Sequence, residues 1–283
     1  MDEPFYFGEG ASRLFGLYFP ARGQPRASGI VLCNGFGKEY EISRTPLCCI
    51  ARELASSGFP CLRFDYGGYG DSAGEFADAT VTSMCADIEA ACGELQRRAH
   101  VASVGLLGIR LGATLSALVA ARLPSVSSLV LWEPLPRPWE VLYDQLRHSV
   151  TMQMLLFHEV RFTRDQILEN VAKGQPSLSQ GYDLNIIDEG FPLSAALVDE
   201  LKDVDLVARA PATRANTLVV NIVKAASPVD RKLQILAEAL RAQGAPCALE
   251  QALVPCLPWV HEKVFATRFP ELFATTLRWV ERQ

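Results

Sequence analysis

The feature that most constrains this fold is an apolar run at residues 104–109 that leads into a Gly-x-x-x-Gly motif centred on Arg110. The run shows no alternation of polar and apolar residues, which indicates a strand buried on both faces of a sheet. Small apolar residues follow at 113–120 and predict a helix packed closely on that sheet. Glycine at positions 108 and 112 permits a crowded, sharp turn between the two elements. The sequence therefore places Arg110 at the apex of a strand-to-helix turn.

The same alternation of strands and helices continues on both sides of this turn. The chain opens with a predicted antiparallel hairpin at 5–8 and 14–19, whose arms combine aromatic and small residues. Apolar runs predict further buried strands, and apolar residues at helical spacing predict helices between them. The predicted strands are 29–33, 61–65, 104–109 and 128–132, and the predicted helices are 47–54, 81–95 and 113–122. This alternation predicts an α/β fold with a parallel sheet covered by helices on both faces.

The alternation breaks between residues 134 and 213. Prolines at 134, 136 and 138 open this segment, and helix-like stretches with a polar Gly-Gln-Pro-Ser turn fill the rest. The pattern then resumes with strands at 217–223 and 248–254 and helices at 233–240 and 272–280. We therefore expect a core formed by residues 1–133 and 214–283, with residues 134–213 inserted as a helical cap.

Composition restricts the classes of partner. The formal net charge of the 283-residue chain is −5 and no Lys/Arg run occurs, so we expect neither nucleic acid nor a membrane surface as a partner. The acidic start lacks the features of a signal peptide, and we expect a cytoplasmic protein. The eight cysteines lack the spacing of metal ligands, so we expect reduced thiols, no metal and no cofactor. A small or peptide-like molecule is the expected ligand.

Several segments carry a resemblance to a known family. In their order and spacing they are similar to the serine-aminopeptidase-like (S33-type) hydrolases of the α/β-hydrolase fold. The chain also resembles a subgroup associated with exosortase systems and natural-product clusters, in which the turn commonly reads Gly-Leu-Arg-Leu-Gly. The segments are 34–40, 62–74, 108–113, 131–134 and 181–197. The resemblance implies a mostly parallel, doubly wound sheet with an inserted helical cap, and it implies that arginine at position 110 is characteristic of the subgroup.

The resemblance also implies a place for a reacting carbonyl group. In acyl-transfer enzymes of this fold, the backbone N–H after the turn apex and an N–H in the loop after an earlier strand hold the oxyanion. The counterparts here are Leu111 and Phe36, with Gly35 beside Phe36 in the loop. We also expect Asn34 and Trp259 to contact the substrate.

Arg110 occupies the position at which such enzymes carry their nucleophile. A guanidinium stays protonated up to a pKa of roughly 12 or more, so it cannot form an acyl-enzyme. Its planar set of donors beside a helix N-terminus favours a carboxylate, a phosphate or an enolate, or holds a carbonyl oxygen. An alternative stays open, in which Arg110 forms an ion pair with an internal acid such as Glu133 or Asp230 and plugs the site.

His261 is the candidate base, because it follows the last predicted strand and precedes the final helix, where the resembling hydrolases carry their histidine. The acid expected after the preceding strand is replaced by Ser-Pro at 227–228. Glu133 and Asp230 are substitutes that can orient His261 if the geometry allows. The candidate catalytic residues are therefore Arg110, His261, Glu133 and Asp230.

Other nucleophilic side chains fit structural roles better. Ser72 lies in a Gly-x-Ser-x-Gly match at 70–74, but no helix of small residues follows it, which is typical of a structural loop. Cys33 and Cys256 lie near the predicted site without a strained turn at a helix N-terminus, so we interpret them as core residues. Asp65, at a strand end, is expected to accept hydrogen bonds from loop N–H groups.

Two functional hypotheses remain open. In the first, the protein acts on an acyl or peptidyl intermediate of a biosynthetic pathway by non-serine chemistry, with Arg110 binding oxygen and His261 as base. In the second, it is a non-catalytic pseudo-hydrolase that binds a ligand or a partner protein. A carrier protein or a biosynthetic enzyme is a candidate partner. The apolar helix faces of the cap either pack as a cap core or form the wall of an acyl pocket.

Overall fold

A computed structural model describes residues 1–187, 190–260 and 266–283 of the chain. Within these residues, one eight-stranded sheet forms the centre of the molecule. Its strands are β1 Glu3–Phe7, β2 Leu14–Phe19, β3 Ser28–Cys33, β4 Cys61–Phe64, β5 Ser103–Ile109, β6 Val126–Trp132, β7 Asn216–Val223 and β8 Cys247–Leu253. These bounds confirm every strand predicted for the core to within a few residues.

The order of the strands in the sheet is β1-β2-β4-β3-β5-β6-β7-β8. Strand β2 is antiparallel to both β1 and β4, and all other neighbours are parallel, as the alternation of strands and helices predicts. Strand β3 lies beside β5, and their register pairs Cys33 with Gly108. The loop after β3 and the turn after β5 therefore meet at the same edge of the sheet.

Helices cover both faces of the sheet. The helices of the described residues, including three in the segment between β6 and β7, are α1 Lys38–Ser56, α2 Val81–Ala99, α3 Leu111–Ala120, α4 Pro138–Phe157, α5 Arg164–Ala172, α6 Ala195–Asp203, α7 Arg231–Ala242 and α8 Pro270–Val280. One apolar cluster joins α2, α3 and α7 to the sheet, and a second joins α1 and α8 to its other face. None of the helices in the described part of the chain is long and apolar enough to cross a membrane.

The segment between β6 and β7, predicted as a cap, contains α4, α5, α6 and two hairpins of two-residue strands. Leu142, Leu146 and Ile167 are buried there and form a cap core, whereas Leu155 and Leu156 are exposed. The hairpin strands are Leu178–Ser179 with Tyr182–Asp183, and Ile186–Ile187 with Phe191–Pro192.

Three contacts attach this segment to the core. The ring of Phe191 lies 4.9 Å from that of Phe76. The carboxylate of Glu200 accepts a hydrogen bond of 2.7 Å from the N–H of Thr82 at the start of α2. In addition, the buried hydroxyl of Thr114 on α3 donates to the carbonyl of Leu135 at 2.8 Å. The segment therefore lies against α2 and α3 on one side of the sheet.

The glycine-rich loop after β4 is held by Asp65 and Ser72. Asp65 forms a buried ion pair with Arg63 and accepts a hydrogen bond of 3.3 Å from the N–H of Asp71, which confirms its predicted role. The hydroxyl of Ser72 donates to the carbonyl of Asp65 at 2.6 Å and accepts from the N–H of Phe15 at 2.9 Å. Both hydrogen-bonding functions of this hydroxyl thus serve the loop, as the sequence predicts.

The close approach of α3 to β3 depends on glycine at two positions. A Cβ atom on Gly112 would lie 2.2 Å from the carbonyl oxygen of Asn34 and 2.4 Å from that of Cys33. A Cβ atom on Gly108 would lie 2.4 Å from the carbonyl oxygen of Gly112 itself. Because backbone atoms cannot move aside as a flexible side chain can, no other residue fits either position without displacing the helix.

We expect Gly112→Ala to lower the free energy of unfolding by about 2–4 kcal/mol, because the added methyl group overlaps two backbone carbonyls. The matched control is Gly93→Ala on the exposed face of α2, where an added Cβ meets nothing within 4 Å. This control is expected to raise the free energy of unfolding by about 0.5–1 kcal/mol. Urea denaturation monitored by circular dichroism measures both. Equal stability of Gly112→Ala and the wild type would contradict the packing described here.

We expect Ser72→Ala to lower the free energy of unfolding by about 1–3 kcal/mol, because it leaves the N–H of Phe15 and the carbonyl of Asp65 without their partner. The same denaturation experiment measures the change. A variant as stable as the wild type would show that water replaces the hydroxyl at no cost.

Candidate functional site

Two strained residues lie at the carboxyl ends of neighbouring strands. Arg110 after β5 and Glu133 after β6 have φ angles of 55° and 46°, values that non-glycine residues rarely adopt. Their N–H groups donate to the carbonyls of Trp132 and Val220, each at 2.9 Å, and so continue the sheet ladder by one residue. Such conformations cost about 1–3 kcal/mol each and occur most often at functional sites. We therefore take this edge of the sheet as the candidate site.

The side chain of Arg110 forms an ion pair with Glu39. Its Nε donates to Oε1 of Glu39 at 3.0 Å, and the exposed fractions of the two side chains are only 15% and 12%. The guanidinium also lies over the ring of Trp259, 5.0 Å from its centroid. The alternative in which Arg110 forms an ion pair with an internal acid therefore holds, but the partner is Glu39. The two partners suggested from the sequence, Glu133 and Asp230, form no ion pair with the guanidinium in the described structure.

The two predicted oxyanion residues meet at one small cavity. Phe36 and Leu111 both line a space of about 20 Å³, which we call the small cavity. This volume admits about one water-sized group. Glu39 lines the same space, and a Cβ atom on Gly35 would lie 3.0 Å from the Cβ of Glu39, so glycine at position 35 lets the first turn of α1 approach the loop. Among the hydrogen bonds of the described residues, none is donated by the N–H of Phe36 or Leu111.

Two larger cavities share walls with the small cavity. The first, about 250 Å³, is called the Asp230 cavity and is lined by Arg110, Glu133, Pro134, Leu135, Pro136, Arg137, Glu140, Val141, Val207, Asp230, Lys232, Leu233 and Ile235. The second, about 560 Å³, is called the Trp259 cavity and is lined by Lys38, Glu39, Ile42, Arg110, Val141, Asp144, Gln145, Trp259 and Val260. Because Arg110 lines both large cavities and Glu39 lines the Trp259 cavity and the small cavity, their ion pair lies where the three spaces adjoin.

The carboxylates of Glu133 and Asp230 are anchored to backbone at the wall of the Asp230 cavity. Oε2 of Glu133 accepts hydrogen bonds from the N–H of Ile222 at 2.7 Å and from Nδ2 of Asn221 at 3.2 Å. Burial raises the pKa of Glu133, while these hydrogen bonds and the charge of Arg110 oppose the rise. Asp230 caps α7 by accepting from the N–H of Lys232 at 2.6 Å. The structure therefore brings Arg110, Glu133 and Asp230 to one cavity.

The predicted base, His261, lies outside the described residues. Its pairing with Glu133 or Asp230, and its distance from Arg110, remain predictions. Trp259, two residues earlier, is described and lines the Trp259 cavity beside Arg110. Its contact with a substrate stays a prediction.

Asn34 does not reach a cavity in the structure. It is fully buried, and its Nδ2 donates to the carbonyl of Phe64 at 2.7 Å, so it ties the loop after β3 to the end of β4. Substrate contact by Asn34 is therefore not supported. Cys33 and Cys256 are buried as well, and burial raises the pKa of the Cys33 thiol to about 12, which agrees with a core role.

Glu39 is the site residue that the sequence reasoning missed. It lies in the first turn of α1, directly after the loop that carries Phe36. The sequence predicts that the loop after β3 and the Arg110 turn lie side by side at one edge of the sheet. A residue directly after that loop, such as Glu39, could therefore have been expected near Arg110. The described residues contain no group of three or more side chains able to hold a metal ion.

The comparisons with known proteins agree with this architecture. A family model described as serine aminopeptidase, S33, matches residues 23–220. Among solved structures, α/β hydrolase domain-containing protein 10 from mouse has a TM-score of 0.64 at 16% identity, covering 99% of each chain. Est1E from Butyrivibrio proteoclasticus with ferulic acid bound has a TM-score of 0.64 at 15% identity, covering 99% of this chain and 98% of that chain. Esterase PF2001 from Pyrococcus furiosus has a TM-score of 0.59 at 12% identity, covering 100% and 90%. No curated protein matches the chain.

At these identities the solved structures show the fold alone, which is the α/β-hydrolase fold with a mostly parallel sheet flanked by helices. The family model covers well over half of the sequence, including the Arg110 turn. The chain belongs to the serine aminopeptidase S33 family of α/β-hydrolase-fold proteins.

Proposed function

We propose that this protein acts on an acyl or peptidyl intermediate of a biosynthetic pathway by chemistry that uses no serine nucleophile. In this proposal the acyl oxygen binds at the small cavity and at Arg110, and the rest of the substrate occupies the adjoining cavities. The single observation that carries the proposal is that Phe36 and Leu111 share a cavity of atomic size beside the Arg110–Glu39 pair.

The geometry of the small cavity supports oxyanion binding. Backbone N–H groups stabilise a developing oxyanion best when they are fixed before the reaction and shielded from water. The N–H of Leu111 lies at the start of α3, which packs directly against the carbonyls of Cys33 and Asn34 at Gly112, and Phe36 lies in the loop that follows. The guanidinium of Arg110 lies in the walls of the two adjoining cavities, from which it can donate charge-assisted hydrogen bonds to the same acyl group.

The attacking group in the proposed reaction is water. His261 would take a proton from water as the oxygen attacks the acyl carbon, and the carbonyl electron pair would move onto the oxygen held at the small cavity. Collapse of this intermediate would expel an alcohol, thiol or amine, which recovers the proton from His261. Neither Arg110 nor Ser72 forms a covalent bond in this reaction. Arg110 carries a guanidinium, and the hydroxyl of Ser72 makes two hydrogen bonds in the loop after β4.

The biological setting is part of the proposal. The resemblance to the biosynthesis-associated subgroup supports a pathway intermediate as substrate and a carrier protein or biosynthetic enzyme as partner. We propose a cytoplasmic location, and the net charge of −5 supports a protein that binds neither nucleic acid nor a membrane surface.

A second candidate function is ligand or partner binding without catalysis, as in a pseudo-hydrolase. The observation that favours it is the ion pair itself, since Arg110 already has a carboxylate partner in the described structure. A site that contains a neutralised arginine and no nucleophile at the turn can bind without reacting.

We expect Arg110→Ala and His261→Ala each to lower turnover by at least about 100-fold, because one removes an oxyanion donor and the other removes the base. The measurement is a panel of p-nitrophenyl esters and N-acetylcysteamine thioesters, with melting temperature as the check on folding. Arg97→Ala, at a 70% exposed side chain on α2 paired with Glu94, is the matched control and is expected to keep the wild-type rate.

A fluorophosphonate probe tests the same proposal independently. We expect no covalent labelling of the wild type. Wild-type rates in both Arg110→Ala and His261→Ala would contradict the catalytic assignment, and labelling of Ser72 would contradict both candidate functions. Absence of both turnover and labelling would favour the non-catalytic function.

A further inference from the structure

A guanidinium normally supplies hydrogen-bond donors and a positive charge together, and the ion pair of Arg110 with Glu39 separates these two properties. Within the guanidinium of Arg110, only Nε donates a hydrogen bond in the described structure, so the other N–H groups of this side chain stay available to a ligand at the cavities. Its positive charge, however, is already balanced by the carboxylate of Glu39. The ion pair itself therefore offers hydrogen-bond donors without a surplus of positive charge, and Lys38, the other cation that lines the Trp259 cavity, has an interaction partner of its own.

We propose that Glu39 determines the charge of the ligand, so that the site accepts uncharged acyl groups such as esters, thioesters and amides and rejects free carboxylates. The inference rests on the proposed function, in which an acyl oxygen binds beside Arg110. It names the substrate class of that site and assigns a specificity-determining role to Glu39, which lines the small cavity together with Phe36 and Leu111.

Burial makes the charge of Glu39 effective. The side chains of Glu39 and Arg110 are 12% and 15% exposed, so water screens their charges poorly. A carboxylate entering beside Arg110 is attracted by the guanidinium and repelled by Glu39 at similar range. An uncharged carbonyl oxygen accepts the same hydrogen bonds and meets no such repulsion.

The walls of the Asp230 cavity supply no compensating positive charge. Arg137 lies 2.8 Å from Asp205, and Lys232 lies 3.0 Å from Glu140, so both cations are paired. Glu133, also in this wall, lies close enough to Arg110 for the guanidinium to lower its pKa against the effect of burial. An anionic ligand would therefore face Glu133 as well as Glu39.

This arrangement has a consequence for turnover. Hydrolysis of an ester or thioester converts an uncharged acyl group into a carboxylate at the position beside Glu39. The repulsion that excludes free acids from the empty site then favours release of the acid product. Glu39 would thus select the substrate and expel the product by the same electrostatic effect.

Hexanamide and hexanoate test the inference, because they have nearly the same shape and differ in charge. Their dissociation constants at pH 7.5 are measured by calorimetry or ligand-observed NMR with the wild type, Glu39→Gln and Glu39→Asp. We expect the wild type to bind hexanamide at least about tenfold more tightly than hexanoate. Glu39→Gln, which keeps an oxygen acceptor for Nε of Arg110, is expected to bind hexanoate at least about tenfold more tightly than the wild type does, with hexanamide changed by less than about twofold. Glu39→Asp, which keeps the charge, is expected to keep the wild-type preference.

The control is Glu169→Gln on α5, which removes an exposed carboxylate paired with Lys173 and is expected to match the wild type for both ligands. Tighter binding of hexanoate than hexanamide by the wild type would overturn the inference while leaving the acyl site intact, and this result needs no variant to fold. An unchanged preference in a folded Glu39→Gln would overturn it as well. Failure of the wild type and Glu39→Gln to bind either ligand would instead overturn the proposed acyl site, and the inference with it.

Discussion

The site depends on one backbone contact, the approach of the start of α3 to the end of β3. Without side chains at Gly108 and Gly112, the helix begins directly against the carbonyls of Cys33 and Asn34. This contact brings Leu111 beside the loop that carries Phe36, and it places Arg110 within reach of Glu39. A helix displaced by the width of a methyl group would separate these groups, since hydrogen-bonding geometry tolerates only a few tenths of an ångström.

Most of the core could be predicted because a parallel sheet covered by helices on both faces requires a recognisable pattern of apolar residues in the sequence. Strands buried on both faces are uninterrupted apolar runs, and the helices that cover them repeat apolar residues at helical spacing. The start of α1 was missed because its first turns at Lys38 and Glu39 are polar and because Pro46 lies inside the helix. The two-residue strands between α5 and α6 were missed because so short a segment carries no periodic signal.

The site was only partly predictable for a different reason. Leu111, Phe36 and Trp259 follow from the positions of turns and loops, which the order of elements determines. The ion-pair partner of Arg110 depends instead on a side-chain contact with the first turn of α1, where Glu39 lies 71 residues earlier in the chain. The order of elements does not determine such a contact. Glu133 and Asp230 were plausible because both follow neighbouring strands, yet their carboxylates are used by the backbone of β7 and α7. Asn34 was misjudged because its amide bonds the end of β4 and is buried.

An arginine at this turn requires a carboxylate close by, because an unpaired charge in a largely buried position is costly. Glu39 provides that carboxylate from the first turn of α1, where the helix dipole also favours an acidic side chain. The pair as a whole is close to neutral, as a serine hydroxyl would be, but it is far richer in fixed hydrogen-bond donors. A guanidinium at this turn forms no acyl-enzyme, and its N–H groups that do not bond Glu39 can donate to an uncharged carbonyl group. The cavity between Phe36 and Leu111 lies beside this pair, since Glu39 lines both that cavity and the Trp259 cavity, which Arg110 also lines.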